Sequence, residues 1–324
     1  MKATARANTN IALIKYWGKR DETLFLPMNS SLSITLDSFF TTTTVEFSEE
    51  YTKDTFFLNG ERAGEAESHK VSSFLNLIRK LAGVGYNAVI TSENKVPTAA
   101  GLASSASGFA ALAAAAGKAL DLKLNERELS ILARQGSGSA CRSVYGGYVE
   151  WQKGQRTDGL DSYGMQLLSE KEWDISILSV LVASKQKKIS SREGMRNTLQ
   201  TSPFYNGWLH TVEEDLEIAK RAISLRDFEM LGNVVEENAL KLHATMLGAK
   251  PPILYWQSGT MEVMEQIQNL RSSGIPAFFT IDAGPNVKVL CLPEDEEKVY
   301  KALLTLPSVQ EVTTCHIGSG ISYL

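Results

Sequence analysis

Residues 97–117 read PTAAGLASSASGFAALAAAAG. Gly101, Ser104, Ser105, Ser107 and Gly108 crowd together and run directly into an alanine-rich helical pattern. Side chains this small leave backbone amides uncovered at a helix N-terminus, where free N–H groups and the positive end of the macrodipole favour an anion such as phosphate. Plain capping fits the same residues, since Ser104 or Ser105 serves equally as an N-cap. Taken alone, the stretch leaves both readings open.

Other stretches carry groups with chemistry of their own. In GSGSACR, residues 136–142, the planar fork of Arg142 suits a carboxylate held by two hydrogen bonds, or a structural ion pair. Asp282 opens DAGPN, where aspartate is an ordinary turn initiator. Lys185 to Lys188 read by themselves as a solvated basic loop, and Tyr16 and Trp17 end an apolar run and read as core. Cys141, Cys291 and Cys315 are odd in number and include no CxxC pair, which argues against a disulfide framework and against a thiolate metal site. The four histidines show no HExxH or other tight ligand spacing, and His210 with Glu213 reads as a solvated helix face, so no zinc is expected.

The elements that must position these groups follow from patterning. Leu32 to Leu36 alternates, Thr41 to Phe47 is β-branched, and Asn59-Gly60 marks a tight turn after TFFL. Helices are expected from Glu67 to Leu81, through Leu120, and after Asn125, with Glu128 as its capping-box partner. A strand is expected at Asn87 to Ser92, and the nearly continuous apolar run from Trp173 to Ala183 predicts a strand buried on both faces. Helices then dominate, at about Asn206–Leu225, Asp227–Met246 and Thr260–Ser272. The hairpin AFFTI/VKVLCL follows, then a helix at Asp295–Leu304 and a last strand at Val309–His316. This mixture without regular βαβ alternation predicts an α+β fold.

A length of 324 residues suits two domains, and the composition shift near 184 divides the chain into 1–184 and 185–324, with the last strand free to pack back on the first domain. Hydrophobic residues at 43% and charged ones at 22% are the balance of a soluble globular protein. A net charge of −4 gives no bulk pull toward nucleic acid or membrane, and neither partner is expected. No secretory pattern opens the sequence and no apolar run of about 18 residues follows, so a cytoplasmic location is expected.

The spacing Pro97, Gly101-Leu102, Ser104-Ser105 matches the PxxxGLxSSx signature and resembles the GHMP superfamily of small-molecule kinases. NIALIKYWGKRD at 10–21, GSGSACRSVYGGYVEW at 136–151, SSREGM at 190–195 and TIDAGPNVK at 280–288 narrow the likeness to the diphosphomevalonate decarboxylases. The resemblance implies a two-domain GHMP fold. Its N-terminal domain would be like the second domain of a small-subunit ribosomal protein, and its C-terminal domain ferredoxin-like. It implies ATP and Mg²⁺, and conversion of mevalonate 5-diphosphate to isopentenyl diphosphate with release of ADP, phosphate and carbon dioxide. A cytoplasmic homodimer is implied as well.

Site roles follow by the same resemblance. Gly101, Ser104, Ser105 and Ser107 would cradle ATP phosphates, with Lys187 reaching the γ-phosphate and Lys70, Ser92 and Asn94 as further nucleotide contacts. Tyr16, Lys19, Ser137, Ser139, Ser191 and Arg192 would clamp the substrate diphosphate, with Gly136 and Gly138 letting the chain come close. Arg142 would hold the substrate carboxylate, and Asp282 the 3-hydroxyl, as general base or as a positioning acceptor, kept ionised by Lys15. Ser105 counts among the catalytic groups and is the implied protein contact of Mg²⁺. A kinase of the same fold that stops after phosphorylation, and an inactive nucleotide-binding regulator, are the alternatives. Arg142 and Asp282 argue against the first, and the intact catalytic set argues against the second. The departures are VPTAAG, SASG and the acidic Glu193, and none removes a candidate catalytic group.

Overall fold

The computed structural model describes residues 1–95, 104–182 and 189–324. Gly101 and Lys187 lie outside the described residues. The first part of the chain contains β1 (Lys2–Ile14), β2 (Lys19–Asp21), β3 (Leu26–Pro27), β4 (Ser31–Ser48), β5 (Thr55–Leu58) and β6 (Glu61–Arg62). It continues with α1 (Glu65–Ala82), β7 (Asn87–Asn94), α2 (Ser104–Ala119), α3 (Glu126–Arg134), a 3-10 helix (Gly138–Val144), β8 (Tyr148–Trp151) and β9 (Gly164–Leu168).

The two strands expected over 32–47 are one, β4, whose run of β-branched residues pairs antiparallel with β1 along nearly its whole length. The first half of β4 also pairs with β8 and the second half with β7. The register of β1 against β4 shifts between Asn8 and Asn10, a bulge that re-aims the strand beside the 3-10 helix. Asn59 and Gly60 both take positive φ, 52° and 83°, and close the β5–β6 hairpin as their types predict. In α2 the alanines are buried almost all the way round, so this helix lies close against the sheet and between its neighbours. Asn125 caps α3 by accepting from the Glu128 amide at 3.0 Å, while the Glu128 carboxylate accepts from the Asn125 amide at 2.9 Å.

The second part holds β10 (Ser176–Leu181), α4 (Ser191–Thr201), α5 (Tyr205–Leu225), α6 (Phe228–Leu247), α7 (Ser258–Ser272), β11 (Ala277–Ile281), β12 (Val287–Cys291), α8 (Glu296–Leu304), β13 (Glu311–Cys315) and β14 (Ser322–Tyr323). Its antiparallel sheet runs β11-β12-β10-β13. Strand β10 therefore pairs within this second sheet, and the change of sheet falls between Leu168 and Ser176, ahead of the composition shift at 184. Composition changes in a connecting segment, whereas sheet membership follows the partners that complete a ladder. Strand β14 returns to pair with β1. Helix α4 stands where the sequence showed only a polar stretch. It lacks an apolar stripe, and Ser190 starts it by accepting from the Glu193 amide at 3.2 Å.

One hydrophobic cluster joins the domains: Ile11, Leu13, Ile14 and Leu32 of the first sheet pack with Val212, Leu216, Leu231 and Val235 of α5 and α6 and with Phe278 of β11. Among the described residues no helix is long and apolar enough to cross a membrane. Helix α6 approaches β11 at Gly232, where an added Cβ would lie 2.0 Å from the Phe278 ring. That ring is confined by Phe228, 5.5 Å away. Gly232→Ala should lower stability by about 1 kcal/mol or more, because overpacking costs roughly 1–3 kcal/mol against a helix gain of about 0.5–1 kcal/mol. Gly207→Ala, on open space in α5, should lower nothing; urea midpoints of the two variants check this.

Candidate active site

Lys15 follows the last residue of β1 and is 2% exposed. Its ammonium donates to the Ala12 carbonyl at 2.9 Å and to Asp282 Oδ1 at 2.7 Å. Asp282 opens the turn between β11 and β12, so this ion pair ties the first sheet to the second. The Asp282 side chain keeps 35% exposure. Burial pushes its carboxyl up, but the combined pull of Lys15, Lys288 and Arg142 outweighs this and holds it below the ordinary carboxylate value.

Arg142 lies in the 3-10 helix and is 2% exposed. Its Nε and Nη2 donate to Asn10 Oδ1 at 3.3 and 3.2 Å, and Nη1 donates to the Ser31 hydroxyl. Asn10 is fixed in turn by donating to Ser143 Oγ at 2.7 Å and to the Ser139 carbonyl at 3.1 Å. Among the described residues no carboxylate lies within ion-pairing distance of Arg142, so this buried guanidinium has neutral partners only. A buried cation without a counter-ion is costly, and the arrangement favours arrival of an anion.

Ser105, in the first turn of α2, meets the GSGS segment, its hydroxyl lying 3.2 Å from Ser137 Oγ. The two glycine-serine stretches thus converge, and Ser139 sits half-buried in the 3-10 helix beside them. At Gly138 an added Cβ would lie 2.7 Å from Trp151 and 3.4 Å from Tyr16. Tyr16 packs on Trp151 with ring centroids 4.7 Å apart and leaves a buried hydroxyl without a protein partner. From Ser104 and Ser105 a cleft runs between α1, α2 and β7, lined by Lys70, Ser92 and Asn94 among polar groups and by Phe56, Ile90 and Phe109 among apolar ones. Ser92 Oγ is 2.8 Å from Thr43 Oγ1, and Asn94 Oδ1 accepts from Thr41 at 3.2 Å.

Ser107 departs from the expectation. It is wholly buried, 2.8 Å from Thr41 Oγ1, accepting from Thr9 at 3.2 Å and donating to the Ser104 carbonyl at 3.3 Å. Three residues into α2 the helix has turned this position toward the sheet, so Ser107 fastens α2 to β1 and β4 instead of facing the cradle.

Lys19 and Arg192 gather around Phe25. The Lys19 ammonium lies 4.0 Å and the Arg192 guanidinium 5.9 Å from the Phe25 ring centroid, and Lys19 also pairs with Glu22 at 2.7 Å. Burial pulls the Lys70 ammonium below its ordinary value, and Arg192 and Lys19 add to this, which locates the three charges in one field. Ser191 and Arg192 sit in the first turn of α4, held down by Gly194, whose Cβ position lies 2.8 Å from the Tyr255 hydroxyl and 3.4 Å from Trp17.

Several site groups have roles the sequence left unassigned, although Asn10 and Lys288 fall inside the stretches 10–21 and 280–288. Asn10 orients Arg142, Lys288 of β12 is wholly buried behind Asp282, and burial brings its ammonium down to about 8 although Asp282 supports the charge. His243 of α6 is 3% exposed, its ring meets the backbone of Ile281 and Asp282, and its Nε2 has no protein partner. Among the described residues no three His, Cys, Asp or Glu side chains are grouped so as to hold a metal ion. The Cys141 thiol is buried and pushed up to about 12 by burial, as befits a core filler.

The serine-lined head of α2, the cleft beside it and the two α+β domains match an ATP-using enzyme of the GHMP kinase fold. The family model for the diphosphomevalonate decarboxylase-like N-terminal domain matches residues 7–164, and that for the mevalonate 5-diphosphate decarboxylase C-terminal domain matches residues 177–320. The chain belongs to the diphosphomevalonate decarboxylase family. It is 37% identical over 337 residues to the diphosphomevalonate decarboxylase of Schizosaccharomyces pombe, covering 98% of this chain and 86% of that protein. The crystal structure of mevalonate diphosphate decarboxylase from Staphylococcus aureus is similar throughout, with a TM-score of 0.95 and 46% identity, covering 100% of this chain and 98% of that one. A further solved structure, MDDEF in complex with MVAPP, AMPPCP and magnesium, has a TM-score of 0.94 and 46% identity, covering 100% and 99%.

His243 supplies a pH test of the ground beneath the site. Burial pulls its imidazolium down to about 4 from an ordinary 6.5, with Lys15 adding to the shift. Between those values the unfolded chain binds a proton that the native state refuses, so stability falls as pH drops. From pH 7 to pH 5 this residue should cost about 2 kcal/mol. His243→Gln should remove that component, and urea unfolding at the two pH values measures it.

Proposed function

We propose that the chain catalyses ATP-dependent decarboxylation of mevalonate 5-diphosphate, yielding isopentenyl diphosphate, ADP, phosphate and carbon dioxide. The observation that carries this reading is Arg142: a buried guanidinium with no carboxylate partner among the described residues, in the same electrostatic field as Asp282. This reaction needs a carboxylate socket and an acceptor for the hydroxyl in one site, and Arg142 and Asp282 fit those two parts.

In this reading Ser104 and Ser105, with the first amides of α2, receive ATP phosphates, and the adenosine end lies in the cleft of Lys70, Ser92 and Asn94. The donor set at Ser105 and Ser137 is hydroxyl rather than carboxylate, which suits a magnesium ion that keeps waters and phosphate oxygens as its other ligands. Bound magnesium would neutralise charge on the transferring phosphoryl group. Gly101 and Lys187 join the nucleotide contacts by family resemblance. Tyr16, Lys19, Ser137, Ser139, Ser191 and Arg192 hold the substrate diphosphate, which the cations around Phe25 and the unpartnered Tyr16 hydroxyl support. Asp282 accepts the hydrogen bond, and then the proton, of the tertiary hydroxyl as its oxygen attacks the γ-phosphorus. Lys15 keeps the carboxylate ionised beforehand. Phosphate then departs with the C–O bonding pair, and the electrons of the bond to the carboxyl carbon form the new double bond as carbon dioxide leaves. Arg142 orients that carboxylate; too tight a grip would oppose its loss. A cytosolic homodimer belongs to the same proposal and has family resemblance as its support.

The test is to mix the protein with ATP, magnesium and labelled mevalonate 5-diphosphate and follow ADP and carbon dioxide together. Equal yields are expected; ADP alone would mean a kinase, and neither product an inactive binder. Arg142→Lys keeps the charge and loses the fork, and should lower turnover by about 10²-fold while ATP binding persists. Near-normal carbon dioxide release from that variant would take Arg142 out of the mechanism.

A further inference from the structure

Lys15 sits one residue beyond the β1 ladder in a place that water does not reach, so its backbone groups need other partners. Two buried asparagines supply them. The Lys15 N–H donates to Asn238 Oδ1 at 2.8 Å, and the Lys15 carbonyl accepts from Asn29 Nδ2 at 2.7 Å. Asn238 is 0% exposed and belongs to α6 in the other domain. Its amide nitrogen donates to Asp215 Oδ2 at 2.8 Å, and Asp215 Oδ1 accepts from Lys241 at 2.7 Å. A carboxylate only accepts, so Asp215 forces the Asn238 nitrogen toward itself and the oxygen toward Lys15.

We propose that Asn238, oriented by Asp215, is a positioning residue that sets the Lys15–Asp282 pair in register for the reaction. This deepens the decarboxylase reading and rests on it. The chain of contacts runs Lys241, Asp215, Asn238, Lys15, Asp282, from α5 and α6 to the turn between β11 and β12. With the Lys15 backbone fixed on both sides and its ammonium tied to Ala12, the charge can meet Asp282 from one direction only. The same helix, five residues on, bears His243 against the backbone of Asp282, so α6 braces both members of the pair.

Asp282 is faced by Lys15 from the end of β1, Arg142 from the 3-10 helix, Lys288 from β12 and His243 from α6. Freeing Lys15 removes the nearest of the cations that hold the Asp282 carboxyl low. The acid limb of kcat, read as ADP release, should then move to higher pH. In Asn238→Ala, kcat should fall about 10- to 100-fold, with the KM for ATP unchanged within about twofold. The exchange Asn238→Asp with Asp215→Asn retains a donor-to-acceptor bond between the two positions and an acceptor for the Lys15 N–H, and should recover most of the lost rate. If Asn238→Ala does not fold, Asp215→Asn keeps the shape and loosens the orientation, and should shift the acid limb in the same direction with a smaller loss. A folded Asn238→Ala enzyme, or Asp215→Asn in its place, with wild-type kcat and an unmoved acid limb overturns the proposal. So does a rate loss without any shift, which is the mark of a structural role alone. Failure of the decarboxylase reading shows separately, as ADP without carbon dioxide from the wild-type protein.

Discussion

The ion pair between Lys15 and Asp282 is the contact on which the arrangement of this molecule turns. Each partner belongs to a different domain, and each lies at the point where a strand of its own sheet has just ended. A pair taken this far from water adds little net stability, because desolvation offsets much of the attraction. Its effect is on alignment. The apolar cluster shared by β1, β4, α5, α6 and β11 supplies the non-directional hold between the domains, and the ion pair selects one alignment within it.

That alignment divides the work between the halves of the chain. The first domain brings the head of α2, the GSGS segment and the guanidinium of Arg142, which the proposed reaction would use to receive anions. The second brings Asp282, which it would set against the hydroxyl, and α4 with Arg192 in its first turn. Neither half has a complete site. Lys15, Lys288 and Arg142 all act on Asp282 with positive charge, which favours the ionised carboxylate although it is partly buried.

Much of this could be read in the sequence, and the rest fails for identifiable reasons. Glycine-serine stretches, the Asn59-Gly60 turn and the Asn125 capping box are local, so their chemistry is written in consecutive residues. Ser107 looked like its neighbours in the string, and only the turn of α2 reveals that it faces the sheet. Helix α4 has too little apolar periodicity to announce itself, and β10 joined the second sheet through partners more than a hundred residues downstream. Asn10, Asn29 and Asn238 are undistinguished as letters. They acquire meaning from hydrogen bonds that span up to 223 positions of chain, which no spacing rule anticipates.

The guanidinium of Arg142, without an ion pair among the described residues, also bears on which molecules the proposed site would accept. It would take a planar carboxylate deep inside, while Lys19 and Arg192 would take phosphate charge around Phe25. A molecule bearing only one of these ends can satisfy only one of the two stations. Two such stations would make the site a ruler: it would recognise the length of carbon chain that separates a carboxylate from a diphosphate, so analogues a methylene shorter or longer would be rejected by reach, with both charges still present.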